Sequence, residues 1–129
     1  MIKKIMLLIS LLVLILIVGC SNNQGTTSSI VQKVSPVEFK DIISDENVFV
    51  LDVHVPEQEH IEGTDELIPF DALNEFVDKL PEDKNTPIAL YCRSGSMSEI
   101  ASKELAKMGY TEIYDLEGGR NAYIKEFGE

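Results

Sequence analysis

The chain has 129 residues, enough for one domain and short for two. It is 44% hydrophobic and 26% charged, the balance of a globular chain. Its formal net charge of -11 argues against nucleic acid and anionic lipid headgroups as partners, since both call for clustered Lys and Arg.

Residues 1–20 open with Lys3 and Lys4, run apolar from Ile5 to Val18, and end in Gly19-Cys20. The apolar run is shorter than the about 20 residues a spanning helix needs. A charged start, a short apolar core and a small residue before the cut are the parts of an export signal. Ile17-Val18-Gly19-Cys20 resembles the lipobox of bacterial lipoproteins. The resemblance implies a signal peptide over 1–19, a lipid anchor on Cys20 and an extracytoplasmic protein held at the cell membrane. Residues 21–29 carry no apolar side chain and are expected, with Cys20, to form a flexible tether. Cys92 would then be the sole thiol of the mature domain, with no internal disulfide.

The domain is expected over 30–129, with strands and helices alternating. Ile30–Val34 reads as a short strand. Ser35-Pro36 opens a helix, with Glu38 completing a capping box and Phe39, Ile42 and Ile43 on its apolar face. Val48–Val53 reads as a buried parallel strand. Residues 54–66 form a loop, and Leu67–Phe70 a short strand. Asp71 is expected to cap a helix to Leu80, with Leu73, Phe76, Val77 and Leu80 as its core stripe. Pro87–Tyr91 is a second buried strand, ending at Cys92. A helix follows from about Ser96 or Ser98, with Ile100, Ala101, Leu105 and Met108 facing the core and Gly109 ending it. Glu112–Leu116 is a strand, Glu117–Gly119 a turn and Asn121–Phe127 a final helix. This alternation predicts an α/β domain: a mostly parallel sheet of about five strands with helices on both faces.

Ligands of open parallel sheets sit beyond the C-terminal strand ends, where Cys92 lies. A Ser/Gly loop and a helix N-terminus follow it. Backbone N–H groups and the helix dipole there favour a thiolate, and Arg93 adds a full positive charge. Gly95 removes side-chain bulk where the backbone curls.

Cys92-Arg93-Ser94-Gly95-Ser96-Met97-Ser98 resembles the active loop of rhodanese-like domains, commonly Cys-Arg-Ser-Gly-x-Arg-Ser. Further pieces of the same family pattern follow in order. They are Val50–Glu57 with its Asp-Val-x-x-Pro-Glu core, Glu59–Gly63, Ile68-Pro69, and Leu116-Glu117-Gly118-Gly119 with Tyr123. The resemblance implies sulfur transfer. Cys92 would take a sulfane sulfur from thiosulfate or a polysulfide as a persulfide, held by residues 93–98, and give it to a thiol or cyanide. No metal or organic cofactor is called for. Three positions depart from the pattern: Met97 and His54 where Arg is usual, and Tyr123 where Trp is usual. Loss of the Arg at 97 weakens the case for a doubly charged donor such as thiosulfate.

Asp52 is expected to make a structural hydrogen bond to backbone, and His60 to be structural. His54 has no second metal-like ligand near it, and Arg120 is expected to be solvated. A phosphatase of the Cys-x5-Arg type would need Arg at 98, which is Ser. A non-catalytic binding module is the remaining alternative.

Overall fold

In a computed structural model, residues 30–128 are described; the expected signal peptide, Cys20 and the whole of the expected tether lie outside them. Five strands form one sheet: β1 (Val31–Val34), β2 (Phe49–Asp52), β3 (Glu66–Leu67), β4 (Ile88–Tyr91) and β5 (Ile113–Leu116). Their order is β1-β5-β4-β2-β3, and every pairing is parallel. Parallel neighbours require crossovers, and α1 (Pro36–Ile42) and α2 (Ser96–Lys107) supply two of them; α3 (Gly119–Phe127) follows the last strand.

Both sheet faces are covered, so alternate residues of one strand enter different cores. On one side Leu51, Val53, Ile88, Leu90 and Ile113 pack with Ala101 and Leu105 of α2. On the other, Val50, Ala89, Tyr91 and Leu116 pack with Phe39 of α1 and Tyr123 of α3. Tyr123, where the family pattern carries Trp, fills its place among aromatics: Phe39 edge-on at 6.4 Å and Phe127 at 4.8 Å between centroids.

α1 starts with the capping box read from the sequence. Ser35 Oγ accepts the Glu38 amide, and Glu38 returns a carboxylate oxygen to the Ser35 N–H at 2.8 Å. α2 ends at Gly109, whose φ of +98° suits a residue without Cβ.

Two sequence expectations are corrected. Residues 71–80 do not form one helix; they run through turns to a single 3-10 turn, Val77–Lys79. Leu73 and Leu80 are buried, but Phe76 is at the surface and Val77 is 51% exposed. Two anchored leucines hold the segment down, and short i to i+3 turns between them satisfy the backbone. In α2, Ile100 is 55% exposed rather than core. The buried stripe is Ser98, Ala101, Ser102 and Leu105, with Ala101 and Ser102 three and four residues after Ser98 and Leu105 one turn further on, as one helix face requires. Two serines therefore occupy core positions that apolar patterning gives to Ile100.

Candidate active site

β4 is apolar and fully buried, so its end is fixed in space. Cys92 is the next residue, at the C-terminal edge of the sheet. Its thiol is covered, with the residue 1% exposed. Part of that cover is apolar core and part is polar. The Gly95 N–H donates to Sγ at 3.0 Å, and Ser98 Oγ lies 3.7 Å from the sulfur. Gly95 is the N-cap of α2, at φ +101°, a conformation L side chains rarely adopt. The chain thus reverses over Arg93–Gly95 and directs a helix N-terminus back at the sulfur. The sequence implied several amides around Sγ; among the described residues, one backbone N–H, that of Gly95, is hydrogen-bonded to it, beside the Ser98 hydroxyl.

The remaining loop residues are placed as follows. Arg93, Ser94 and Ser96 are exposed and Gly95 is half-buried. Met97 packs against the apolar core beneath α2, where it adds no charge to the rim. Ser98 is fully buried, and its hydroxyl donates to Gly95 O at 3.2 Å.

A second element holds the loop from outside. α3 has no side-chain cap, so its first amides need other acceptors. The Arg120 N–H donates to Cys92 O at 2.8 Å, and the Asn121 N–H to Arg93 O at 3.0 Å. This requires close approach at Gly119, where an added Cβ would meet Cys92 O at 2.5 Å. The loop carbonyls act as the cap of α3. Arg120, expected to be solvated, has its side chain largely covered and pairs with Glu59 at 2.7 Å.

The neighbouring strand end is a hydrogen-bonded brace. Asp52 is fully buried and accepts from the His54 N–H at 2.9 Å, from Gln58 Nε2 at 3.2 Å, and from His60 Nδ1 at 2.9 Å. The expected structural roles of Asp52 and His60 agree with this geometry. His54 differs: it is buried, and neither ring nitrogen has a hydrogen-bond partner. Burial, then the nearby Arg93 charge, hold its imidazole below the usual histidine range, against the pull of Asp52. The neutral ring is thereby favoured, in keeping with a buried site that gives neither nitrogen a partner. Asp115, on β5 beside the loop, is a further buried group that sequence reading passed over.

A parallel α/β sheet, with a cysteine at a strand end facing a helix N-terminus, defines a class of domain built around one thiol. Comparison supplies the family: the rhodanese-like domain model matches residues 35–126, and the chain belongs to that family. It is 37% identical over 71 residues to the thiosulfate sulfurtransferase PspE of Escherichia coli, covering 53% of this chain and 67% of that protein. It is 28% identical over 103 residues to a tRNA uridine(34) hydroxylase of Chlamydia pneumoniae, covering 74% of this chain but 32% of that one. The chain therefore spans about a third of the hydroxylases it matches. Among solved structures, a rhodanese-related protein from Thermoplasma volcanium superposes with a TM-score of 0.59 at 25% identity, covering 74% of this chain and 92% of that one. A rhodanese homologue from Thermus thermophilus gives 0.57 at 27% identity, covering 70% and 99%.

Proposed function

We propose that the chain is a sulfurtransferase or persulfide carrier working from Cys92. One observation carries the reading: the Cys92 sulfur receives the Gly95 N–H at the N-terminus of α2. A preorganised donor and a helix dipole favour negative charge on that sulfur. The thiolate attacks the outer sulfur of a donor. With thiosulfate, the Cys92 S–S bond forms as the donor S–S bond breaks, and sulfite leaves with the electron pair. The product is Cys92–S–S⁻, whose outer sulfur an acceptor thiolate or cyanide then removes, returning the thiolate. The name of the Escherichia coli relative supports the chemistry; the geometry supports the nucleophile.

Met97 contributes no cation, which weakens the hold on a dianionic donor such as thiosulfate. With Cys92 1% exposed, the donor is admitted by movement of the Arg93–Ser96 turn. Lipidation of Cys20 and an extracytoplasmic, membrane-held location complete the proposal, on the lipobox-like end of the N-terminal segment.

The test is mass spectrometry of the Cys92 peptide after incubation with thiosulfate and, separately, polysulfide. A gain of one sulfur from either donor, lost in Cys92→Ser, is expected. No gain from either would leave a binding module as the better account.

A further inference from the structure

Asp115 is ionisable and 1% exposed, and the proposed reaction gives it no task. Alternation along β5 puts it on the same face as Ile113, beneath α2. Neither carboxyl oxygen has a hydrogen-bond partner. Lys33 of β1 stands 3.7 Å from Oδ2, but that lysine is half exposed and shared with Glu99 at 3.4 Å. From α2, the Ser98 hydroxyl and the Glu99 carboxylate face it. The neighbouring β4 residue is Leu90, and α1 packs on the opposite face of the sheet. Burial holds the Asp115 carboxyl above the usual carboxylate range; Ser98 and Lys33 pull it down, and Glu99 pushes it further up.

Ser98 connects this acid to the nucleophile. Its Oγ is 3.7 Å from Cys92 Sγ, and it currently donates to Gly95 O. A hydroxyl has one hydrogen and a free rotor. It can serve Gly95 O, the sulfur anion or the carboxylate, one at a time.

We propose that Asp115 is a positioning residue for Cys92, setting through the Ser98 hydroxyl how much negative charge the sulfur carries. The inference takes from the sulfur-transfer reading only that Cys92 is the nucleophile. With Asp115 protonated, the Ser98 hydrogen is free to turn to the thiolate. With Asp115 ionised, the carboxylate competes for that hydrogen and places a like charge under the same helix end. The ionised acid thus holds the sulfur anion back, and the neutral acid does not.

The test is peptide-resolved alkylation of Cys92 by iodoacetamide in the full chain, from pH 5 to pH 10. Asp115→Asn is expected to react about tenfold faster than wild type at pH 7, about the worth of one hydrogen bond returned from the Ser98 hydroxyl to the sulfur anion. The advantage should shrink towards pH 10, since rising pH favours the sulfur anion with or without the acid. In the Asp115→Asn, Ser98→Ala double variant most of the gain should be gone. Equal rates at pH 7, a gain undiminished at pH 10, or a gain that survives Ser98→Ala would each overturn the proposal. Should Asp115→Asn not fold, the smaller neutral Asp115→Ser serves with the same expectations. Sulfur uptake is recorded on the same samples. Wild type that takes up no sulfur while the alkylation pattern holds defeats the sulfur-transfer reading alone. Uptake with the pattern absent defeats this inference alone.

Discussion

Two buried carboxyl groups flank the active loop, and they are treated in opposite ways. Asp52, at the end of β2, accepts hydrogen bonds from His54, Gln58 and His60. Asp115, two strands away on β5, has none. Asp52 stitches a turn to a strand, and its cost of burial is offset by directed donors. Asp115 is held with its hydrogen-bonding capacity open, and a lysine at the rim keeps it from being isolated. The difference teaches that burial of an acid does not by itself define its role; the donor set does.

Breaking the satisfied side should cost most. Asp52→Ala strands the His54 N–H and His60, and should lose about 3 kcal/mol in urea unfolding. Gly119→Ala breaks another closed contact, the one between α3 and the loop. Its Cβ would overlap Cys92 O at a positive φ, so about 2 kcal/mol should be lost. Sulfur uptake at Cys92, read by mass spectrometry, should fall with it.

The unsatisfied side should respond with the opposite sign. Asp115→Asn is expected to stabilise the domain by about 1 kcal/mol at pH 8. Because the folded-state carboxyl titrates above its unfolded value, the wild-type acid favours folding below pH about 4 and loses that contribution as the pH rises through the folded value. The gain of the variant should therefore be absent at pH 3 and grow with pH in thermal melts. A gain already present at pH 3 would mean packing, not charge. Lys33→Met should move stability least, by under about 0.5 kcal/mol, since that cation is half exposed.

What was legible in the sequence was local. The capping box at Ser35 and Glu38, the apolar run of β4 and the cysteine at its end each depend on residues near in the chain. The α2 stripe was misread because apolar pattern favoured Ile100, while packing chose Ser98 and Ser102. The 71–80 segment was misread because two leucines seven residues apart fit a helix and a chain of turns equally well. Asp115 was missed although a signal existed. In a strand covered on both faces, every position is a core position, so an acid inside EIYDL is anomalous on either alternation. His54 was noticed at an arginine position, but not its depth, which depends on Arg93 and the Asp52 turn arriving from separate strands.

The grip of α3 on the loop also bears on the order in which the protein matures. The carbonyls of Cys92 and Arg93 are tied down by amides of Arg120 and Asn121, almost thirty positions later. Until α3 docks, the turn after β4 lacks the clasp that fixes its carbonyls, so the surroundings of Cys92 are completed by a helix that comes last among the described elements.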